Sequence, residues 1–199
     1  MLRINLGSGE FPLPGFVNID CEPLHKPDLV LDFTKEALPY EDGSVDDVYM
    51  VHCLEHIEFY YWHNLFQEII RVLKINGQLL LSYPEFGECA RRFLENEGNK
   101  KDFWRNTLYG RQMFDTDYHV MPMHSKYVKE IIEASGFYRV SYGPEHETVP
   151  YNTVLLAKKD PAPCLREDVI TRELGLEKGL EKGLEKGQTY KLQSKMTNF

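Results

Sequence analysis

Leu2-Arg3-Ile4-Asn5-Leu6-Gly7-Ser8-Gly9 opens the chain as an apolar run that stops on a small glycine-bearing loop. Three more runs repeat the arrangement. Phe16-Val17-Asn18-Ile19 ends on Asp20, Leu29-Val30-Leu31 ends on Asp32, and Val45 to Val51 leads into His52-Cys53-Leu54-Glu55-His56. Strand-like runs that end on Gly, Asp, Asp and a polar cluster describe a parallel α/β sheet presenting ligand groups along its carboxyl edge.

The connection after the first run is unusual. Only seven residues, Glu10 to Phe16, separate the glycine loop from the next strand, and they include Pro12, Pro14 and Gly15. A βαβ crossover needs about 10–12 residues or more with its helix. The first crossover helix is therefore missing, and with it the helix N-terminus that ordinarily cradles phosphate. A lone Gly-x-Gly without a following helix is not a dinucleotide fingerprint. The acids carry more information. Asp20 at a strand end can accept hydrogen bonds from ribose hydroxyls. Asp32 beside Phe33 offers a carboxylate and an aromatic face suited to an adenine.

Further on, Leu65, Phe66, Ile69, Ile70 and Leu73 recur at helical spacing across residues 63–74. Asn76-Gly77 is expected to stop that helix, and Gln78 to Tyr83 forms a fifth strand ended by Pro84. Residues 85–124 read as an insertion rich in aromatic and basic side chains. Ser125 then caps a helix with Tyr127, Val128, Ile131 and Ile132 facing the core and Gly136 at its end. Tyr138–Tyr142 and Asn152–Ala157 form a closing strand pair.

Composition limits the partners. The net charge is −8, and residues 160–199 are neutral, so the first 159 residues carry 24 acids against 16 bases. That surface is a poor match for nucleic acid. Cys21, Cys53, Cys89 and Cys164 form no close pair, which fits a reducing setting rather than a disulfide or zinc framework. There is no signal-peptide pattern, and no apolar run reaches the roughly 20 residues of a membrane span. The expectation is a cytoplasmic chain with no membrane contact.

Taken in order, these pieces resemble class I S-adenosylmethionine-dependent methyltransferases. The pieces are Ile4-Asn5-Leu6-Gly7-Ser8-Gly9, Val17-Asn18-Ile19-Asp20, Leu31-Asp32-Phe33, Ala37-Leu38-Pro39-Tyr40, Ser44-Val45-Asp46-Asp47-Val48, Leu54-Glu55-His56 and Arg71-Val72-Leu73-Lys74 before Asn76-Gly77. The likeness is greatest to small methyltransferases with a short Pro/Gly loop between the first two strands. Leu108-Tyr109-Gly110-Arg111-Gln112, Asp117-Tyr118-His119 and Ala134-Ser135-Gly136-Phe137 extend it to about residue 158.

The resemblance implies a Rossmann-like, mostly parallel sheet with helices on both faces and a helical cap. It implies a methyltransferase domain at 1–159, with 85–124 as the cap. Residues 160–199 are then a Pro-containing linker and a tail, helical or disordered, holding three copies of Gly-Leu-Glu-Lys at 175–186. It further implies S-adenosylmethionine as cofactor. Gly7, Ser8 and Gly9 would lie along its methionine part, Asp20 on the ribose, Asp32 and Phe33 at the adenine, and His52 would close the site. His119 is the expected catalytic base. The acceptor would be a small polar molecule, such as a sugar or glycan precursor, with oligomeric state left open.

Two alternatives stand beside this reading. One is a Rossmann-like module that binds a nucleoside or a partner without catalysis. The other is a metallopeptidase, because His52 to His56 spells H-x-x-E-H. No metal is expected. Some O-methyltransferases carry E-x-x-E-H at this place and bind a divalent ion, so the candidates for one are His52, Glu55, His56 and His119.

Overall fold

The computed structural model describes residues 1–143 and 151–160. The expected linker and repeat tail at 160–199 lie outside them, apart from Asp160. Seven strands form one sheet: β1 Arg3–Leu6, β2 Val17–Asp20, β3 Leu29–Val30, β4 Val45–Val51, β5 Leu73–Pro84, β6 Phe137–Tyr142 and β7 Asn152–Lys159. Their order is β3-β2-β1-β4-β5-β7-β6. Strands β1 to β5 run parallel and β7 is antiparallel to both its neighbours. The α/β, mostly parallel Rossmann-like sheet expected from the sequence is the sheet observed.

Among the described residues, four α-helices accompany it: α1 Phe59–Val72, α2 Phe86–Leu94, α3 Lys101–Tyr109 and α4 Ser125–Ala134. One face of the sheet is fully buried. Its residues Val48, Met50, Leu79, Leu81, Leu155 and Ala157 form a single cluster with Trp62, Phe66 and Ile69 of α1 and Val128 and Ile132 of α4. The alternate residues Tyr49, Leu80, Val154 and Leu156, which a strand points to its other face, are only partly buried.

Helices are scarcer than expected. The β1–β2 crossover has no helix, as its length requires, but the β2–β3 and β3–β4 crossovers also lack an α-helix. Side-chain hydrogen bonds hold the loops instead. Asn18 Oδ1 accepts from Leu13 N at 2.7 Å and from Asn5 Nδ2 at 3.0 Å, while Asp28 Oδ2 accepts from Asn18 N at 2.8 Å. Buried backbone groups that no helix can pair are thereby satisfied.

Several element boundaries differ from the sequence reading. Helix α1 ends at Val72, and β5 begins at once with Leu73, so Asn76-Gly77 lies within the strand. Gly77 serves close approach: a Cβ there would sit 2.8 Å from the Lys74 carbonyl oxygen and 3.0 Å from that of Asp46. Ser125 is the first helical residue of α4 and not its cap; its N–H is held by Glu85 Oε2 at 2.9 Å. Tyr127 is partly exposed, with its ring stacked on Phe59. Residues 85–124, expected as a cap, hold α2 and α3. Trp104 packs down, its ring 5.0 Å from that of Tyr151, while Arg91 and Arg92 pair with Glu88.

Candidate active site

The strand order reverses between β1 and β4, and a cavity of about 840 Å³ opens at the carboxyl ends of these strands. That is the crevice in which open α/β sheets bind ligands, and the volume suits a cofactor with an acceptor. Gly7, Ser8, Gly9, Asp20, Asp32, Phe33, His52 and His119 all line it. Of the site residues expected from the sequence, these and the metal candidate His56 line the cavity, and Glu55 does not.

Gly7 and Ser8 donate their N–H groups to the Ile19 carbonyl at 2.8 and 3.2 Å, which folds the glycine loop back over β2. Gly9 N donates to Asp20 Oδ2 at 2.7 Å, and Glu22 N to Asp20 Oδ1 at 2.8 Å. His25 Nδ1 lies 3.4 Å from the same Oδ1. Asp20 thus orients the glycine loop and keeps lone pairs for a ligand. Two buried polar atoms at the cavity wall, Ser8 Oγ and His25 Nε2, have no protein partner. Buried polar atoms are paired as a rule, and an orphan beside a cavity has room to bond a ligand or a water there.

Asp32 accepts from Thr34 and pairs with Lys35 Nζ at 2.7 Å. Partial burial opposes its charge, but the hydrogen bonds from Lys35 and Thr34 win and hold its carboxyl below the usual range. Phe33 is buried in the core cluster with its ring at the cavity edge.

His52 ends β4 in the left-handed conformation, φ +52°. Its Nδ1 lies 3.2 Å from Glu55 Oε1 and its Nε2 2.7 Å from Asn152 Nδ2. Both ring nitrogens are occupied, so His52 is a wall of the cavity and not a free hydrogen-bonding group. Burial works against the imidazolium, yet Glu55 raises the His52 pKa overall. Glu55 is fully buried, which favours its neutral form, but the His52 hydrogen bond and the nearby His56 and His119 lower its pKa. Its second oxygen, Oε2, has no partner.

The sign of this pairing gives a pH prediction. A depressed Glu55 adds stability above its unfolded pKa that is lost as pH falls through the folded value. A raised His52 adds stability below its unfolded pKa that is lost as pH rises through the folded one. The pair therefore contributes most between roughly pH 4.5 and 6.5. Melting midpoints of wild type minus His52→Asn, measured in chelator-containing buffer, should peak in that window; a flat difference would remove the pair from the stability account.

His119 sits across from this group, its ring edge-on to that of His56 with centroids 4.7 Å apart. Burial, with His56 and His52 nearby, pushes its pKa down, partly offset by Glu55. His56 Nδ1 lies 3.0 Å from the Tyr118 carbonyl oxygen; that oxygen only accepts, so Nδ1 carries the proton. Glu55, His56 and His119 each offer a ligand atom within 4.8 Å of the others. His52 is not in that group, and no single helix carries the H-x-x-E-H residues. His52 ends a strand and Leu54–His56 is a 3-10 turn. The zinc-peptidase arrangement, with both histidines on one helix face, is absent here.

Asn5, His25 and Asn152 join the site without having been expected. Asn5 lies one residue before the end of β1, a position whose side chain sequence pattern alone does not direct. Asn152 meets His52 across a hundred residues, and no local signal announces such a contact.

Residues 17–81 match the family model described as a methyltransferase domain. A comparison with curated proteins finds no match. Among solved structures, a SAM-dependent methyltransferase from Archaeoglobus fulgidus superposes with a TM-score of 0.57 at 15% identity, covering 79% of this chain and 86% of that one. A possible histamine N-methyltransferase from Thermotoga maritima gives 0.55 at 14%, covering 80% and 82%. Human N-acetylserotonin methyltransferase in complex with SAM gives 0.55 at 18%, covering 80% of this chain and 47% of that one. At these identities the likeness is one of fold. Residues 17–81 thus match a methyltransferase domain, and the fold is the one shared with SAM-dependent methyltransferases.

Proposed function

We propose that this enzyme methylates a small polar acceptor by direct in-line transfer, with the cofactor held by Gly7, Ser8, Gly9, Asp20, Asp32 and Phe33. The observation that carries this reading is the convergence of the glycine loop, Asp20 and Asp32 on one cavity at the sheet's switch point, with the unpartnered Ser8 Oγ in its wall. S-adenosylmethionine supplies an activated methyl on a sulfonium when bound, so few catalytic side chains are needed. Asp20 orients the ribose, Phe33 presents an aromatic face to the adenine, and His52 closes the wall. The protein's task is to align the acceptor and exclude water.

The acceptor side of the cavity carries Phe103, Asn106, Phe114, Thr116 and Tyr118. Aromatic faces interleaved with neutral hydrogen-bonding groups suit a sugar or glycan precursor. The acidic surface disfavours nucleic acid, and no helix among the described residues is long and apolar enough to cross a membrane. Cys21, Cys53 and Cys89 are free thiols, in keeping with a cytoplasmic setting. Calorimetric titration with S-adenosylmethionine and S-adenosylhomocysteine tests the reading: micromolar binding supports it, and no binding by folded protein overturns it.

His119 is the proposed base. Its pKa is below the ordinary histidine value, so the ring is neutral at pH 7 and can take a proton from an acceptor hydroxyl or amine. A second reading is favoured by one observation, the orphaned Oε2 of buried Glu55 beside His56 and His119. A divalent cation held there would polarise an acceptor hydroxyl. One experiment separates the two once an acceptor is in hand. If His119 is the base, His119→Ala slows turnover at least about tenfold and chelator leaves wild type unchanged. If the cation is required, chelator alone stops wild type and added Mn²⁺ restores it.

A further inference from the structure

The cavity wall formed by residues 110–119 is one compact loop. Its ends meet where His119 N donates to the Tyr109 carbonyl at 3.1 Å. Gly110, at φ +78°, folds it back so closely that a Cβ would stand 1.9 Å from the Asp117 carbonyl oxygen. Inside the loop, Gln112 N donates to the Asp117 carbonyl at 3.4 Å, Met113 N to Asp117 Oδ2 at 3.3 Å, and Asp117 N to the Phe114 carbonyl at 3.1 Å. Loops built this way, with joined ends and internal bonds, behave as units on a protein surface.

Two contacts tie the unit to the opposite, cofactor-side loops. Arg111 Nη1 donates to Glu10 Oε2 at 3.0 Å, across 101 residues of chain, while Arg111 Nε lies 3.4 Å from Asp117 Oδ2. The Phe114 ring stands edge-on to His25, with centroids 5.7 Å apart. Glu10 directly follows the glycine loop, and His25 lies against Asp20. Residues of this loop line the same cavity as Gly7–Gly9, Asp20 and Asp32.

Resting on the cofactor reading above, we propose that Glu10 and Arg111 form a clasp that holds the 110–119 loop over the bound cofactor, so that parting this ion pair gates cofactor exchange. Both side chains are about half exposed. An ion pair in that position is weak and sensitive to salt. It can open on every catalytic cycle, when the spent cofactor must leave, and close again over the fresh one. Arg111 and Glu10 are positioning residues here. They touch no reacting atom.

The test has two arms on the full chain. In the first, release of S-adenosylhomocysteine is followed by stopped-flow displacement. Glu10→Gln should release it about two- to fivefold faster than wild type, and Glu10→Arg faster still. Wild-type release should quicken as sodium chloride rises, while that of Glu10→Gln responds less. Equal rates and equal salt dependence would overturn the clasp. In the second arm, hydrogen exchange is read without ligand. Glu10→Gln should speed exchange at the Gln112, Met113 and Asp117 amides and leave the β4 and β5 amides alone; unchanged loop exchange would overturn it as well. If folded wild type binds no S-adenosylhomocysteine, the cofactor reading falls, and the exchange arm still decides whether the ion pair holds the loop.

Discussion

Asp20→Ala should weaken S-adenosylhomocysteine binding by on the order of a hundredfold, since each hydrogen bond to a charged acceptor is worth about 1.5–3 kcal/mol. The effect has two sources. One is direct, the loss of the carboxylate proposed to hold the ribose. The other is the loop, because Asp20 Oδ2 is the acceptor that holds Gly9 N and Oδ1 the acceptor that holds Glu22 N. Asp20→Asn separates them. An amide keeps the shape but has only one oxygen, so either Gly9 or Glu22 then faces a donor with its own N–H. The Asn variant should lose affinity by an intermediate factor and melt slightly lower than wild type. Calorimetry gives the affinities, and circular dichroism shows that both variants are folded. Wild-type affinity in folded Asp20→Ala would remove Asp20 from the cofactor site.

Gly7→Ala should be the most damaging single methyl in the chain's first half. The residue has φ +69°, and its Cβ would stand 2.3 Å from Cys53 Sγ and 2.7 Å from Cys53 Cβ. Left-handed backbone costs a non-glycine residue about 1–2 kcal/mol. Forcing a side chain into a packed neighbour adds about 1–3 kcal/mol. The melting midpoint should fall by about 5–15 °C, at roughly 2–4 °C per kcal/mol for a chain of this size. Two further variants divide the cost. Gly9→Ala carries the same kind of backbone penalty, φ +52°, but its Cβ meets nothing within 4 Å, so it should cost only the conformational part. Gly7→Ala with Cys53→Gly removes the collision and should recover the packing part alone. Equal midpoints for Gly7→Ala and Gly9→Ala would show that Cys53 yields without cost.

The parts of this molecule that sequence made legible are those with short-range causes. Strands β1, β2 and β4 end where the apolar runs end, because a buried strand needs apolar residues and a ligand edge needs polar ones. The run Leu29 to Leu31 overstated β3, whose pairing covers only Leu29–Val30. The Asn76-Gly77 pair was misread for a definite reason. It has the chemistry of a helix stop, but Gly77 is required by the carbonyls of Lys74 and Asp46 packed against it. That constraint is tertiary.

Site residues divide the same way. Asp20 and Asp32 stand out as acids at strand ends. Glu55 was singled out by its motif, but its full burial was not legible, since that depends on elements that fold over it later in the chain. The Glu10–Arg111 and His52–Asn152 contacts span about a hundred residues, and no periodicity or spacing encodes them. The metallopeptidase spelling failed for the converse reason. Residue letters matched, while the strand end and 3-10 turn beneath them put the histidines on different elements.

The three crossovers without an α-helix carry a thermodynamic consequence. Strands β1 to β3 are short and polar contacts brace the loops between them, while Ile4, Leu6 and Ile19 share one apolar cluster with β4, β5, β7, α1 and α4. Native proteins open in sub-global units. A ligand bridging the glycine loop, Asp20 and Asp32, as proposed, would join strands β1 to β3. By mass action, a ligand at a hundred times its dissociation constant adds about 2.7 kcal/mol, and the protection it confers should concentrate at the ends of β1 to β3. On the proposed reading, a bound cofactor would thus add to the cooperativity of the strands that hold it.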